Sequence, residues 1–505
     1  MKMIKPSLST FYTAIIVLLF AIICFFHIWQ ISSVPKGLYV DEASIGYNAL
    51  LIATTGHDEH NFFWPLYFKA FGEYKNPIYI YALALIYKFF GISAFGLRFT
   101  SFLFFFLFLA GIYILVTNVF RNNRTISVYI LIAAGFLPWF FPISRIAFEV
   151  ISQLTIVTYT FIFIFKTYHK EKYTFLYASL SGFFLGLSIY TYTTARLLSF
   201  LIFISITGIY FRRETIKKSA MLATTFLLCS LPYFIFLARD PNALTARFNK
   251  VTYIYDPLIS PFQKINIFIQ NYISYFGLDF LLLKGDEILR HATGYGGELF
   301  ITVYLLFICG LIWLIIQKQL FNNKFSFFLF TNILIAPIAA SLTIGTHQSL
   351  RSILLGLYIL IFSCYGLSLI LLIKEKELKK MLVAAVFIVL LFEALLYIND
   401  YFTRYKNDSI SWFESYNFKN TLMTAIQKKP KEIIVSSFVS HALAEFYKKL
   451  ISNPDQIPIR IDNIVPNNNT CIIYHVWDES TLNNYKDKFS DFSLKNSLIK
   501  LRCYD

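Results

Sequence analysis

Residues 39–60 read "YVDEASIGYNALLIATTGHDEH" and hold two Asp-Glu pairs, Asp41-Glu42 and Asp58-Glu59. Of the 17 carboxylates in residues 1–398, five (Asp41, Glu42, Asp58, Glu59 and Glu73) fall within residues 32–76. A carboxylate can serve as general base where an acceptor hydroxyl attacks a carbon and must lose its proton. The leaving group of such a reaction needs cationic help. Groups that could supply it are Lys75 in "FGEYKNP", Arg145 in "ISRIAFE", Arg290-His291 in "LRHATGYGGE", and His347 and Arg351 in "THQSLRS". Each residue also has a plainer reading. Asp41 precedes "EASIGYNALLIATTG", a short helix that would stop at Gly56. Asp is a favoured N-cap, and Glu42 would suit the first turn. Asp58-Glu59 would then be a solvated turn, and each arginine an interfacial residue with its head in water. Capping and catalysis are compatible at Asp41, because a helix N-terminus favours the ionised carboxylate.

The elements that must position these residues are membrane spans. The chain has 505 residues, 57% hydrophobic and 15% charged. Soluble proteins carry about a quarter charged residues. Apolar runs of roughly 20 residues, long enough to cross a bilayer, recur through the first 400 positions. They predict eleven spans, at 11–31, 95–119, 125–143, 148–166, 173–190, 194–211, 218–237, 298–317, 325–343, 350–373 and 380–398. The first run follows Lys2 and Lys5, and no small-x-small cleavage site follows it, so it reads as an uncleaved first helix. With the N-terminus in the cytoplasm, the inside loops carry Arg121/Arg124, Lys166/Lys170/Lys172, Arg212/Arg213/Lys217/Lys218, Lys318/Lys324 and Lys374/Lys376/Lys379/Lys380. All are basic, as the positive-inside rule requires. The formal charge of +16 therefore reports orientation. No basic-aromatic array of the kind that binds nucleic acid is present.

The run "PIYIYALALIYKFFG", 77–91, is short for a span, and its tyrosines suit a helix lying in the membrane plane. Two large segments then face outward, a first loop at 32–94 and a second at 238–297, and all the candidate groups fall on that face. The tail, 399–505, is also outside and alternates helix and strand. Helices are expected at 418–428, 441–451 and 479–489, and strands at 432–437, 471–476 and 498–504, which makes a small α/β domain. Cys471 and Cys503 begin and end expected strands in an oxidising compartment, where a disulfide or two buried thiols would fit. Cys24, Cys229, Cys309 and Cys364 lie in apolar runs as packing residues. The fold class is thus a polytopic α-helical membrane protein of about eleven spans with in-plane loop helices. A transmembrane domain over 1–398 precedes an extracytoplasmic α/β domain over 399–505.

The stretches "VDEASIGYNALLIATTGHDE" and "FGEYKNPIYIYALALIYKFFGISAFGLRFTS" resemble family 39 of the GT-C superfamily of glycosyltransferases. That family includes protein O-mannosyltransferases and the bacterial lipid A aminoarabinose transferase. The shared pattern is a first helix, an acidic Asp-Glu pair, a small helix, a Lys-Pro segment, an amphipathic helix ending in Phe-Gly, and an Arg before the next span. It covers residues 35–101, with weaker echoes in "SRIAFEV" and "HQSLRS". The resemblance implies transfer of a hexosyl or pentosyl group from a polyprenyl-phosphate carrier to a protein, lipid or glycan hydroxyl, with inversion. It makes Asp41 the base and Glu42 its support, Lys75 and Arg351 contacts of the donor phosphate, and Glu149 the counterpart of an Asp that relatives carry. Asp58, Glu59, Glu73, Arg145, Arg290, His291 and His347 join these as substrate-side candidates. Two departures bear on the phosphate contacts. Relatives read Lys-Pro-Pro where this chain has Lys75-Asn76-Pro77, and "LRSILLGLYIL" lacks the Pro they carry. The setting implied is a multi-pass protein of a plasma membrane.

No cofactor is required by this chemistry. His57, His60 and the nearby acids suggest a divalent ion, but their spacing matches no strong metal motif. A transporter or flippase of lipid-linked sugars is the alternative. Such proteins place charges and broken helices near the midplane, often in repeated halves. Here charges sit at loop edges and no half repeats the other; Glu393, inside the last span, is the main exception. A third reading makes the tail a binding domain of a non-catalytic envelope scaffold.

Overall fold

The computed structural model describes residues 8–169, 172–242, 245–345, 347–413, 415–437, 439–451, 455–462, 469–482, 489–492 and 499–504. Helices follow the apolar runs. They are α1 (Leu8–Ile28), α2 (Val40–Thr55), α3 (Pro77–Phe90), α4 (Ala94–Val119), α5 (Arg124–Phe136), α6 (Val150–His169), α7 (Thr174–Ser188), α8 (Ala195–Tyr210) and α9 (Ile216–Arg239). After α10 (Ala246–Val251) and α11 (Pro261–Ser274) come α12 (Ile301–Ile316), α13 (Gln319–Asn322), α14 (Lys324–Ile335), α15 (Ile338–Ser341), α16 (Ile353–Leu371) and α17 (Lys376–Asp400). Each of the eleven expected spans is helical. Among the described residues six helices are long and apolar enough to cross a membrane: Ala94–Val119, Val150–His169, Ile216–Arg239, Lys324–Ser341, Ile353–Leu371 and Lys376–Trp412. The other expected spans have shorter apolar helices, Tyr12–Ile28, Arg124–Phe136, Thr174–Ser188, Ala195–Tyr210 and Ile301–Ile316. The segment 77–91 is helical as well, over Pro77–Phe90.

The chain divides into two compact units, which interleave along the sequence. One comprises residues 1–29, 65–79 and 99–403, and the other residues 30–64, 80–98 and 404–505. The first holds most of the helical bundle, and small residues let its helices meet backbone to backbone. A side chain on Gly366 of α16 would strike the carbonyl of Leu306 in α12, and one on Gly310 would strike the backbone of α16. Two loops on the basic side are closed by helix caps. Asn123 accepts from the Ile126 amide at the start of α5, and Asn323 accepts from the amides of Phe325 and Ser326 at the start of α14. Both are the side-chain acceptors that a helix start needs for its unpaired amides.

The second unit combines α2 with the chain's end. There α18 (Lys406–Asp408), α19 (Ser415–Gln427) and α20 (His441–Leu450) accompany a mixed five-stranded sheet. Two short strands of the first unit, β1 (Phe68–Ala70) and β2 (Glu73–Lys75), pair as a hairpin. The sheet's strands are β3 (Glu432–Ser436), β4 (Ile459–Asp462), β5 (Thr470–His475), β6 (Phe489–Asp491) and β7 (Ile499–Tyr504), in the order β4-β3-β5-β7-β6. β3 pairs parallel with both β4 and β5, while β7 is antiparallel to β5 and β6. "EIIVS" is apolar through its middle because β3 is central, with Ile433, Ile434 and Val435 all buried. Cys471 and Cys503 stand opposite one another in the β5–β7 register and form a disulfide. The expected helix over 479–489 needs correction. It spans Glu479–Leu482, Phe489 begins strand β6, and residues 483–488 lie outside the described residues. Strand β4 (IRID) alternates apolar Ile459 and Ile461 with charged Arg460 and Asp462, and is not among the strands expected from the sequence.

α20 packs on α2, where Gly46 receives the ring of Phe446.

Crowding at the crossing of α12 and α16 gives a stability test. Gly366→Leu should push the helices apart and destabilise the protein by about 1–3 kcal/mol or more. Gly208→Ala, at a position with nothing within 4 Å, should be neutral. The fraction of monodisperse protein surviving a heating series in detergent measures both.

Candidate functional site

The acidic pairs belong to the second unit. α2 starts after Tyr39, which is the N-cap in extended conformation, so Asp41 is the second residue of the helix. The capping acid is Glu42, not Asp41, because its Oε2 accepts from the Tyr39 amide at 2.9 Å. Glu42 also forms a bidentate ion pair with Arg98, from Nε at 2.9 Å and from Nη2 at 3.1 Å. The remaining Arg98 donors reach the carbonyls of Ile31, Pro35 and Gly37. All five guanidinium N–H groups are thereby used, which is the condition for keeping that charge in the interior. Both side chains are fully buried. Asp41 is only half-buried, one residue earlier on the helix, at the end where the peptide dipoles favour negative charge.

The second acidic pair is not a solvated turn. Asp58 is buried, and its Oδ1 accepts from the amides of His60 (2.9 Å) and Phe62 (2.8 Å). Glu59 accepts from Asn48 Nδ2 at 2.9 Å and returns its own amide to Asn48 Oδ1 at 3.1 Å. Asn48 is in the middle of α2, so this turn is tied back to the helix that presents Asp41. His57 is half-buried and His60 exposed, and among the described residues no group of three or more His, Cys, Asp or Glu is placed to hold a metal ion.

Lys75 belongs to the first unit. β1 and β2 are joined by Phe71-Gly72, both with positive φ (54° and 71°), as a tight hairpin turn requires. That hairpin delivers Lys75 into the interior, its ammonium 5.3 Å from the centre of the Phe71 ring. The departure at Asn76 has a structural use. Its amide donates to Glu149 Oε1 (2.6 Å) and its Nδ2 to Glu149 Oε2 (3.1 Å). A proline at 76 would lack the first donor. Asn76 Oδ1 in turn accepts from Arg196 Nη2 at 3.0 Å, and the Arg196 guanidinium lies 4.9 Å over the Tyr67 ring. Glu73 pairs with Arg247 at 3.3 Å. Arg196, Arg247 and Arg351 together line one cavity of about 120 Å³, with Tyr192, Thr193 and Thr194 among its walls. Arg351 is steadied there by Thr343 Oγ1 at 2.7 Å. Three guanidinium groups around a small cavity suit an anion.

A separate polar network joins Asp286 and His291 of the second long loop to Glu298, which precedes α12, and to Ser349, which precedes α16. Asp286 meets His291 Nδ1 at 2.9 Å and accepts from the Ser349 amide at 2.8 Å. Glu298 Oε1 accepts from the Asp286 amide (3.0 Å) and from the Ser349 hydroxyl. Burial pushes the Glu298 carboxyl up to about 8; the Ser349 hydroxyl opposes this and the Asp286 charge adds to it. Burial also works to raise Asp286, but His291 and the amides of Ile288 and Ser349 outweigh it and hold the carboxyl low. His347 stacks on Phe280 at 4.9 Å, and burial lowers its imidazole from the ordinary value. Arg290 is half-buried beside His291.

Two residues turn out to hold helices. Arg145 is buried and donates to the carbonyls of Phe26, His27 (2.7 Å) and Trp29 (2.7 Å), at the end of α1. Glu393 accepts from the amides of Ile301 (2.7 Å) and Thr302 (3.3 Å) and so caps α12. The candidate list lacked Arg98, Arg196 and Arg247. Arg98 was visible as the Arg before a span and Arg196 as a lone charge in "TTARLLSF"; Arg247 had no local signal.

Arg98→Ala would leave Glu42 buried without its cation and should cost about 3–5 kcal/mol. Arg98→Lys, which keeps charge but not the fork, should lose part of that; thermal unfolding ranks the two. For Glu298 the sign follows from its raised value. The folded protein holds a proton that the unfolded chain releases above the ordinary 4.5. That contribution is full below 4.5 and is lost as pH rises through about 8. Glu298→Gln should flatten this slope in thermal stability measured across that window.

No family model matches the chain, and no curated protein matches it in sequence. Solved structures do match in fold. ArnT from Cupriavidus metallidurans bound to undecaprenyl phosphate aligns with TM-score 0.62 and 10% identity, over 97% of this chain and 98% of that one. The apo state of the same protein gives TM-score 0.57 and 12% identity over the same shares. The archaeal oligosaccharyltransferase AglB from Archaeoglobus fulgidus, in complex with an inhibitory peptide and a dolichol-phosphate, gives 0.51 and 10%, over 94% and 70%. Both proteins are GT-C glycosyltransferases. At such identities the likeness is one of fold, and it extends over nearly the whole chain.

Proposed function

We propose that this chain, with the fold of the GT-C proteins, is an integral-membrane glycosyltransferase that moves a sugar from a polyprenyl-phosphate carrier to a hydroxyl acceptor. The observation that carries the reading is the division of labour in Asp41-Glu42. Glu42 is held in the interior by Arg98 and the Tyr39 amide, while Asp41, on the first turn of the same helix, is only half-buried. One solved structure of this fold holds undecaprenyl phosphate and another a dolichol-phosphate, which supports a lipid-linked donor.

In this reading Asp41 takes the proton of the acceptor hydroxyl as its oxygen bonds to the anomeric carbon. The bond from that carbon to the phosphate oxygen breaks on the opposite face, so the configuration inverts. The electron pair leaves with the lipid phosphate. The leaving phosphate needs cationic help; within the first unit Arg351, Arg196 and Arg247 share a cavity that suits an anion, and Lys75 is a further candidate. The acceptor is a protein, lipid or glycan alcohol met on the side of the long loops, which would be the outer face of a plasma membrane. The transporter reading drew on Glu393, and that residue is engaged as a helix cap.

Purified protein given a labelled polyprenyl-phosphate hexose and an envelope extract as acceptor should release polyprenyl phosphate. Asp41→Asn should lower the rate by about 10²–10⁴, with donor binding retained. Undiminished turnover would remove Asp41 as base. Arg351→Ala should raise the donor KM more than it lowers kcat if the cavity holds the phosphate in the ground state.

A further inference from the structure

The second long loop contains an amphipathic helix, α11, that the proposed chemistry does not use. It has its own start signal. The Ser260 hydroxyl accepts from the Gln263 amide (3.3 Å), Gln263 Oε1 accepts from the Ser260 amide (2.9 Å), and Pro261 follows as first helical residue. The helix has three faces. Asn271 and Tyr272 turn to the protein, where Tyr272 donates to the carbonyl of Leu334 at 2.7 Å and Asn271 to that of Ser341 at 3.4 Å. Phe262, Ile265, Ile269 and Ile273 fall on one stripe and are 80%, 59%, 47% and 62% exposed. Gln263, Asn266 and Gln270 form a polar strip beside it by the 100° turn of the helix.

These hydrogen bonds set the helix's depth. Leu334 lies within the span Lys324–Ser341, seven residues before its end, next to the break at Pro337. At 1.5 Å per residue, and with the break at Pro337 shortening the path, Leu334 is at most roughly 10 Å inside that end. Leu334 is itself 43% exposed on the span, so the stripe continues that span's exposed apolar surface. A helix at this depth, apolar on one side and polar on the next, has the division of an interfacial helix.

We propose that α11 lies in the membrane plane with Phe262, Ile265, Ile269 and Ile273 seated among the acyl chains of the leaflet nearest the long loops. The occupant of the stripe is lipid. The placement has a consequence for the arginine cavity. The segment before α11 lines that cavity through Arg247, Phe248 and Val251, and Val251 accepts the Ile344 amide at 2.7 Å. The rim is thus tied to a lipid-seated helix, and an amphiphilic donor would reach the arginines from within the leaflet. That corollary rests on the proposed function; the placement of α11 does not.

The test uses a full-length chain with Cys24, Cys229, Cys309 and Cys364 replaced by alanine, and a nitroxide attached at Ile269→Cys. It is reconstituted in vesicles of phosphatidylethanolamine and phosphatidylglycerol. Dissolved oxygen should relax the label several-fold more than a water-soluble nickel chelate does, and the order should reverse at Gln270→Cys. Equal access of the chelate at both positions overturns the placement. So does a label at 269 shielded from both reagents, the signature of a protein partner. Where the 269 variant does not fold, Ile273→Cys gives the same reading one turn on. A chain with the lipid signature and no transferase activity leaves the placement standing and removes only the proposed reaction.

Discussion

The guanidinium of Arg98 is the contact on which the acidic loop depends. It arrives at the start of a membrane helix and gathers one carboxylate and three carbonyls around it. Two charges leave water to do this, and a buried pair is favourable only where every donor and acceptor is met. Here the fork of Arg98 is fully used, and Glu42 also closes the first turn of α2 through the Tyr39 amide. The helix can therefore begin at one residue and with one rotation. Asp41 is the neighbour of a locked side chain, about 100° round the helix from it, and its direction is fixed by that lock.

The other unit uses the same principle with different groups. Asn76 stands between Lys75 and Pro77 and is bound on both sides, by Glu149 and by Arg196. A Lys-Pro-Pro segment would hold its shape through ring constraint alone. This chain replaces part of that constraint with an amide that has two functions, and the carboxylate of Glu149 answers it. Asn76 and Glu149 therefore act as one feature of this interior. The cost of an additional backbone N–H in the interior is offset by a charged acceptor.

The spans, the basic loops and the α/β pattern of the tail were legible because each is written in local periodicity. The short helix ending at Gly56 was legible for the same reason, as Gly56 takes the left-handed conformation with φ 76°. The identity of the capping residue was not. Asp41 and Glu42 are both acids near a helix start, and only the long-range partner, Arg98, separates their tasks. Arg196 and Arg247 escaped similarly, since they meet Arg351 only through the path of the chain. The pairing of Cys471 with Cys503 was open until the register of β5 and β7 put them opposite one another. Strand β6 follows residues that had suggested continued helix, and its pairing with β7 gives it its form.

The seat of Phe446 against Gly46 joins the beginning of the chain to its end. A ribosome adds about 5–20 residues per second, so the roughly 400 residues between the two take on the order of 20–80 s at that rate. Through that interval α2 has been made and α20 has not. The helix bearing the acidic pair gains this packing partner only after those residues have been made. An emerging chain would carry its acids early and the finished packing of α2 late.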